Sequence, residues 1–331
     1  MRASWQPGAP RGHRRPRSAT PLTLGEGQDA IRLVGKRGLY LSLLALGALA
    51  SCSSEDPPAL KATPPAPKAK QVLFIGLDGA RPDAVQKAHT PALDRLAAEG
   101  AWTYAARTQQ KAPTKSAPGW QSILAGVDAD KHLMVANDGY EKRDTRYPSF
   151  LWRAQQAGFP VFLAPAWIGI IQLTESEQLK KSQWAPDGLA TKFTVEALKS
   201  SDYRVFFIHY DAIDITGHTS GFSQDNPAYI QAIEKVDVQI QTLLDTIQQR
   251  PTYAQEDWLI AATTDHGGEG LDHGPQDDAN QTIWMMLHGP GVQKGQLPQA
   301  RQVDVHPTVL RFLGVPITSE MGLDGSVIGL P

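Results

Sequence analysis

Acidic residues and histidines follow short apolar runs in three separate parts of this chain. The side chains concerned are Asp78, then Asp214 with His218, and then Asp265 and His266 with His273 shortly after. Continuous apolar runs of this length are typical of strands that are buried in a parallel sheet. A carboxylate at the carboxyl end of such a strand points into the crevice where ligands bind. Carboxylate and imidazole groups bind divalent metals, so the pattern predicts that these side chains converge on two divalent ions.

Strands and helices alternate along the sequence. Strands are predicted at 72–77, 161–164, 204–210, 258–262 and 282–287. Helices are predicted at 91–100, near 150–156, at about 227–249, and from an Asp304 cap to Gly314. This alternation predicts an α/β fold, a three-layer sandwich in which a mostly parallel central sheet has helices on both faces.

Composition excludes some classes of protein. The chain has 331 residues, of which 41% are hydrophobic and 20% charged, so disorder throughout is excluded. Residues 1–37 hold eight of the 32 Lys and Arg and two of the 34 acidic residues, which leaves 24 basic and 32 acidic residues beyond them. Because this acidic body would not attract a polyanion, we expect no nucleic-acid polymer as a partner.

The N-terminal segment has the pattern of a bacterial lipoprotein. The apolar run 39–50 is shorter than the roughly 20 residues that span a bilayer, and it reads as the core of a signal peptide. Leu49-Ala50-Ser51-Cys52 resembles a lipobox, and Cys52 is the single cysteine. The alternative is an incidental thiol. We therefore predict a basic extension and lipoprotein signal peptide over 1–52, with a membrane anchor on Cys52. Ser53 favours the outer membrane of a Gram-negative envelope.

Residues 53–70 carry five prolines and no periodic apolar face. This composition predicts a disordered tether rich in Pro, Ala and Lys. The folded catalytic domain is then predicted over 71–331, which is within the range of one α/β domain.

Ser116 is the candidate nucleophile. It precedes Pro118, which suits a first helical turn, and Trp120, Ile123 and Leu124 continue a helical face. A serine at a helix N-terminus lies beside free N–H groups that attract an anion. A simple N-terminal cap is the alternative interpretation of this serine.

Four motifs occur in one order along the chain: Gly-Leu-Asp-Gly at 76–79, Pro-Thr-Lys-Ser at 113–116, Asp-Ile-Thr-Gly-His at 214–218 and Thr-Asp-His-Gly at 264–267. Together they resemble the alkaline phosphatase superfamily, most closely its type I phosphodiesterase/nucleotide pyrophosphatase branch, from about Val72 to Gly314.

The resemblance implies two metal sites. One ion would be held by Asp78, Ser116, Asp265 and His266, and the other by Asp214, His218 and a later histidine. We choose His273 as that histidine over His288 and His306, although nucleotide pyrophosphatases place it much further along the chain. His132, His209 and His306 are interpreted as structural. The ligands favour zinc and leave manganese or another divalent ion open.

The resemblance also implies a phosphate contact. Asn137 follows Ser116 at the spacing at which family members carry an Asn that donates to a phosphoryl oxygen, and a surface-loop role is the alternative. Family members often have an Asn three residues after the nucleophile, where this chain has Gly119.

The implied reaction is hydrolysis of a small-molecule phosphate ester through a phosphoseryl intermediate on Ser116. Residues 162–169 lack the Lys/Arg pair of related monoesterases, which favours a diester, and Trp167 is a candidate contact for a base or an apolar leaving group. Ala117-Pro118-Gly119 departs from the sulfatase motif. Monoesters, phosphonates and sulfate esters remain alternatives, as does a non-catalytic, surface-anchored binding protein.

Overall fold

The computed structural model describes residues 67–331. The predicted signal peptide, the lipidation site Cys52 and the tether up to residue 66 lie outside the described residues. Within that range the strands are β1 Ala69–Leu77, β2 Ala101–Arg107, β3 Val161–Pro165, β4 Lys181–Ser182, β5 Val205–Tyr210, β6 Glu256–Thr263, β7 Thr282–His288 and β8 Gly295–Gln296.

The α-helices surround these strands. They are α1 Pro82–Lys87, α2 Pro91–Glu99, α3 Ser116–Ala125, α4 Ala129–His132, α5 Phe150–Gln156, α6 Ile168–Thr174, α7 Asp187–Lys199, α8 Ala212–Ser220, α9 Pro227–Gln248, α10 Asp278–Gln281 and α11 Val305–Leu313. Short 3₁₀ helices occur at Tyr140–Lys142, Glu175–Glu177, Tyr253–Gln255, Gln302–Asp304 and Ser319–Met321.

The eight strands form one mixed sheet in the order β4-β3-β5-β1-β6-β7-β2-β8. Strands β4, β3, β5, β1 and β6 are parallel to one another. Strand β7 runs against both β6 and β2, so it is the reversed strand of the described sheet. The carboxyl ends of β3, β5, β1 and β6 therefore meet at one edge of the sheet.

Side chains of the central strands point alternately to the two faces of the sheet, and a hydrophobic core lies on each face. In β1, Leu73, Ile75 and Leu77 pack on one face with residues of α1, α2, α7 and α9. Val72 and Phe74 pack on the other face with residues of α3, α5, α6 and α11. Since side chains of a strand point alternately to opposite faces, a strand buried on both sides needs helices above and below it. The predicted three-layer α/β fold is confirmed.

The predicted strands and helices are present, with ends that differ by a few residues. Strands β2, β4 and β8, helices α7 and α8 and several short helices were not predicted. The sequence of β2, Ala-Trp-Thr-Tyr-Ala-Ala-Arg, contains three alanines, which have weak strand preference, and β4 and β8 are two residues long. These segments become strands because they form backbone hydrogen bonds with neighbouring strands of the sheet, and not because of their own sequence.

Two local predictions require correction. Strand β1 begins at Ala69, inside the predicted tether, because Ala69 and Lys70 pair with β6 and Lys70 Nζ lies 2.9 Å from Asp257 Oδ2. Asp304 does not cap α11 with its side chain. Its carboxylate accepts hydrogen bonds from the backbone N–H of Arg301 at 2.7 Å and of Ser326 at 2.8 Å, so it closes the preceding 3₁₀ turn instead.

Among residues 67–331, no helix combines the length and the apolar content that a membrane crossing requires.

Candidate active site and metal centre

Asp78 lies directly after β1, between the ends of β5 and β6, and is completely buried. Its Oδ2 accepts hydrogen bonds from Trp120 Nε1 at 2.8 Å and from His209 Nε2 at 3.0 Å. Trp120 fills the place of the side chain that Gly76 lacks, since a Cβ there would lie 2.4 Å from the indole ring. Both donors hold Oδ2, which leaves Oδ1 directed to other partners.

Ser116 is the first residue of α3, with Lys115 at the capping position, so it is not the N-terminal cap. Its Oγ lies 3.4 Å from Asp78 Oδ1 and 3.4 Å from His266 Nε2. The hydroxyl is almost buried and lies at the N-terminal, positive end of α3, where the Ala117 N–H is bonded to Asn137 and Pro118 has no N–H. A nucleophile here would meet a carboxylate, an imidazole and an anion-binding helix end.

His266 presents a lone pair to two carboxylates. Its Nδ1 lies 2.7 Å from the carbonyl oxygen of Gly267, which can only accept, so Nδ1 carries the proton. Nε2 is then unprotonated, yet it faces Asp265 Oδ2 at 3.3 Å and Asp78 Oδ1 at 3.4 Å. Asp265 Oδ2 is buried and has no hydrogen-bond donor in the described structure. Acceptors that converge in this way are stabilised by a cation among them.

A second group has the same property. His218 Nδ1 donates to Leu271 O at 2.9 Å, and His273 Nδ1 donates to Thr114 O at 2.7 Å. Their two unprotonated Nε2 atoms lie only 3.1 Å apart. Asp214 adds Oδ2 at 3.3 Å from His218 Nε2, while its buried Oδ1 has no donor among the described residues. These three side chains fit a divalent cation better than they fit one another.

The two groups adjoin each other. The rings of His266 and His273 are stacked with centroids 3.7 Å apart, and ligand atoms of Asp214, His266 and His273 lie within 4.8 Å of one another. Asp78, Asp265 and His266 form another such set. The structure thus brings together all seven side chains that were predicted as metal ligands, although they span nearly two hundred positions.

The structure places the competing histidines elsewhere. His288 Nε2 lies 3.5 Å from Glu99 Oε2 at the end of β7, and His306 Nδ1 donates to Leu124 O at 2.7 Å. His132 accepts from Met134 N–H and lies 2.8 Å from the Ser122 hydroxyl. Among these histidines, only His273 reaches the second group.

Asn137 lies beside the nucleophile. It is exposed, and its Oδ1 accepts a hydrogen bond from the Ala117 N–H at 2.8 Å. This bond orients the side-chain amide at the first turn of α3 and leaves its N–H groups available to donate. The location agrees with the role that the resemblance implies, which stays a prediction.

Residue-level prediction missed His209 and Trp120 as parts of the site. His209 was interpreted as structural. It is buried, but its side chain forms a hydrogen bond with Asp78, a residue of the candidate site. One signal was present, because His209 is the single imidazole in the otherwise apolar and aromatic strand β5 and a buried polar group needs a partner. Trp120 carried no such signal and read as a core residue.

Burial and charge set the protonation of the site. Burial raises the pKa of Asp214 to about 9, with the charge of Asp78 as the next cause, and it raises the pKa of Asp265 well above the usual range. Burial also lowers the pKa of His266 to about 3. For Asp78 burial alone would raise the pKa, but the hydrogen bond from His209, the electrostatic effect of the neighbouring imidazole dipoles and the hydrogen bond from Trp120 outweigh it and lower the pKa to about 2. Neutral imidazoles beside carboxylates that resist ionisation indicate a centre built around added positive charge.

The fold and these ligand groups define a class of protein, the alkaline phosphatase superfamily. Within it, the chain belongs to the type I phosphodiesterase / nucleotide pyrophosphatase family, whose model matches residues 72–178 and 172–306. Members of this superfamily use divalent metal ions, and the groups described above are candidate sites for them.

Solved structures agree in fold. An inactive form of murine ectonucleotide pyrophosphatase/phosphodiesterase 5 in complex with AMP has a TM-score of 0.64 at 16% identity, covering 75% of this chain and 96% of that chain. A 2-O GAG sulfatase has a TM-score of 0.62 at 13% identity, covering 78% of this chain and 73% of that one. At these identities the likeness concerns the fold alone.

Curated relatives are larger proteins. GPI ethanolamine phosphate transferase 1 of Gibberella zeae is 24% identical over 276 residues, which are 71% of this chain and 27% of that protein. GPI ethanolamine phosphate transferase 3 of Schizosaccharomyces pombe is 26% identical over 138 residues, 40% of this chain and 14% of that protein. The chain therefore corresponds to a minor part of each relative's length.

Proposed function

We propose that this protein hydrolyses phosphoric diesters with Ser116 as the nucleophile. The observation that carries the proposal is the position of Ser116 Oγ, 3.4 Å from both Asp78 Oδ1 and His266 Nε2 at the start of α3. A substrate phosphoryl group bound here would contact the hydroxyl, the N-terminus of α3 and the candidate metal ligands together.

The residues present fit two divalent ions, and zinc is the proposed metal. Asp78, Asp265, His266 and Ser116 would hold one ion, and Asp214, His218 and His273 the other. Bound divalent ions would lower the pKa of the serine hydroxyl and offset the charge on the phosphoryl oxygens.

The chain's own groups account for binding and transfer. The backbone N–H of Ser116 and the side-chain N–H groups of Asn137 would position the phosphoryl oxygens. As Ser116 Oγ forms a bond to phosphorus, the bond to the leaving oxygen breaks in line. The serine proton passes to solvent, and the leaving oxygen takes up a proton to become an alcohol. Water then attacks the phosphorus of the seryl intermediate, which still carries the second ester group. The P–Oγ bond breaks, a phosphomonoester leaves, and Ser116 Oγ takes up a proton from the water.

The segment after β3 supports a diester over a monoester. Related monoesterases carry a Lys/Arg pair there that neutralises a second phosphate charge, whereas this chain has Ala166, Trp167 and Ile168. A diester bears one negative charge fewer and does not need that pair.

A three-substrate assay tests the proposal. With zinc present, bis-p-nitrophenyl phosphate should be hydrolysed faster than p-nitrophenyl phosphate or p-nitrophenyl sulfate, and a chelator should abolish turnover. Ser116→Ala should lower kcat at least about a thousandfold while zinc still binds. Ser182→Ala, an exposed serine on β4, is the control and should keep the wild-type rate. A Ser116→Ala variant with near-normal turnover would refute the nucleophile.

The same assay separates the alternatives. Preference for the monoester or the sulfate ester would identify one of the other superfamily reactions. Transfer of the phosphoryl group to an added alcohol, detected as a new diester, would favour a transferase activity like that named for the fungal relatives. No turnover and no bound metal would favour a binding protein.

The cellular location is a further part of the proposal. The lipobox-like 49–52 segment supports a lipid anchor on Cys52 that holds the domain at the bacterial cell envelope. Membrane fractionation tests it, because Cys52→Ala should move the protein from the membrane fraction to the soluble fraction.

A further inference from the structure

A cavity opens at the edge of the sheet opposite the candidate active site. It has a volume of about 390 Å³ and lies between the ends of α2 and α9, the start of β6 and the turn after β7. Its apolar floor consists of Leu96, Leu244, Ile247, Trp258 and Ile260, each of which keeps 3–5% of its surface exposed. We call this site the basal cavity. An open cavity of this size with an apolar floor is suited to bind an apolar group.

The polar side chains at the floor of the basal cavity are already paired. Trp258 Nε1 donates to Glu256 Oε2 at 2.8 Å, and Arg250 Nε donates to the same oxygen at 2.9 Å. Asp257 Oδ2 lies 2.9 Å from Lys70 Nζ. Because these groups are bonded to one another, a polar small molecule would gain little from them. The basal cavity therefore favours an apolar occupant.

The chain itself enters the fold at the rim of this cavity. Lys68 lines the basal cavity, and the next residue, Ala69, begins β1 and pairs with Glu256. The residues up to 66 lie outside the described part of the chain, and among 53–68 the sequence holds one large aliphatic residue, Leu60. Eight residues of extended chain span about 28 Å, so Leu60 is within reach of a cavity that Lys68 borders.

The sequence around Leu60 favours docking. Pro57-Pro58 precedes it and Pro64-Pro65 follows it, and prolines restrict the free chain, so less conformational entropy is lost on binding. Removing a leucine side chain from water favours the bound state by about tenfold to a hundredfold. The covalent link to Lys68 adds a high effective concentration, which a free ligand does not have.

Charges of both signs occur on the rim and on the segment. The rim holds Arg95 and Glu99, and the Glu99 side chain is 54% exposed. In the segment Lys61 directly follows Leu60, and Glu55-Asp56 lies upstream. Exposed pairs of this kind contribute little affinity, but they favour one direction of the segment across the cavity.

We propose that the basal cavity binds the chain's own segment 57–66, with the Leu60 side chain against the apolar floor. This inference goes beyond the proposed function and does not depend on the reaction at Ser116. The catalytic edge lies at the other end of β1, which has nine residues and is about 30 Å long. Together with the proposed anchor on Cys52, docking would turn the active site away from the membrane.

Disulfide cross-linking tests the contact. Cys52 is the single cysteine, so the full chain with Cys52→Ala carries new thiols without a competing one. Leu60→Cys combined with Ala254→Cys, at an exposed position that lines the basal cavity, should form an intramolecular disulfide. It should form at least tenfold faster than with Val238→Cys, a 66% exposed position on α9 outside the cavity. Equal rates at the two positions would overturn the inference.

Alkylation of a thiol at the cavity mouth tests the role of Leu60 itself. In the Cys52→Ala chain, Ala254→Cys should react with a maleimide at least fivefold more slowly when Leu60 is present than in the Leu60→Asp variant. Val238→Cys is the control and should react equally in both. Equal alkylation of Ala254→Cys in both would also overturn the inference. Disulfides that form between two molecules instead of within one would assign the basal cavity to a second copy of this chain and overturn it as well. Diester hydrolysis is not a readout of either test, so failure of the proposed reaction leaves their outcome unaffected.

Discussion

Asp78 directs its two carboxylate oxygens to different partners. Trp120 and His209 both donate to Oδ2, while Oδ1 faces Ser116 and His266. Two donors on one oxygen fix the rotation of the carboxylate, so a cation beside Ser116 would meet Oδ1 alone. Such supporting hydrogen bonds determine both the geometry and the affinity of a metal site.

Phenylalanine in place of Trp120 keeps an aromatic ring in the core and removes the indole N–H. We expect Trp120→Phe to weaken zinc binding at the Ser116 side about tenfold or more, and to lower kcat, because Asp78 can then rotate. The measurement is zinc content after dialysis against a graded chelator. Trp258→Phe is the matched control, since Trp258 is also buried and its N–H donates to a carboxylate, Glu256, at the start of β6, the opposite end of that strand from Asp265. Equal zinc retention in the two variants would contradict the role of Trp120.

Helix α3 approaches the segment after β6 very closely at Gly119. A Cβ at this position would lie 2.9 Å from Asp265 Cβ and 3.0 Å from Asp265 O. The residue that departs from the family pattern thus has a packing reason in this chain. Because α3 and the segment after β6 approach so closely, Ser116 and Asp265 lie in the same candidate site.

A methyl group at Gly119 should separate these elements. Alanine favours a helix over glycine by about 1 kcal/mol, but an overpacked core costs about 1–3 kcal/mol, so we expect Gly119→Ala to destabilise the fold and to reduce turnover. Gly188→Ala in α7 is the control, because no atom lies within 4 Å of its added Cβ, and it should be neutral or stabilising. Urea unfolding and diester hydrolysis measure both effects. A Gly119→Ala protein as stable and active as Gly188→Ala would contradict this account.

At the scale of the whole molecule, the candidate metal centre couples stability to pH. In metal-free protein the pKa of Asp214 is raised to about 9, and that of Asp265 is also raised, compared with about 3.9 for an unfolded Asp. Between these values the native state binds more protons than the unfolded state, so the free energy of unfolding falls as pH rises. The stabilisation is complete below about pH 4 and is lost as pH passes about 9.

We therefore expect chelated protein to lose about 1 kcal/mol per pH unit through Asp214 between pH 7 and 9, and Asp265 acts in the same direction. His266, with a pKa lowered to about 3, is neutral in the native state there and adds no opposing trend. Urea unfolding at pH 7, 8 and 9 measures the slope. Saturating zinc should flatten it, because a bound cation keeps the carboxylates ionised and releases their protons. Identical slopes with and without zinc would argue against a cation at these residues.

The sequence by itself determined the fold class and the candidate ligands. Buried strands of a parallel sheet are continuous apolar runs, and their ends are marked by the residue that follows, so Asp78 and Asp265 could be assigned to one edge before any coordinates. Likewise the motif Asp-Ile-Thr-Gly-His paired Asp214 with His218, although the helix that carries both, α8, was not predicted. These patterns involve residues that are close together in the sequence, so they can be recognised without knowing which distant residues pack against them.

Only the tertiary structure decided what depends on distant neighbours. Strand β7 runs antiparallel to both of its neighbours, β6 and β2. The short Ala-rich sequence of β2 does not predict a strand, which forms because β2 pairs with β7. His209 and Trp120 support Asp78 through contacts that span 131 and 42 positions. His273 was preferred to His288 and His306 by motif alone, and its approach to His218 follows from the pairing of its loop with Thr114. Side-chain contacts across a fold depend on how its layers pack, which a linear pattern does not encode.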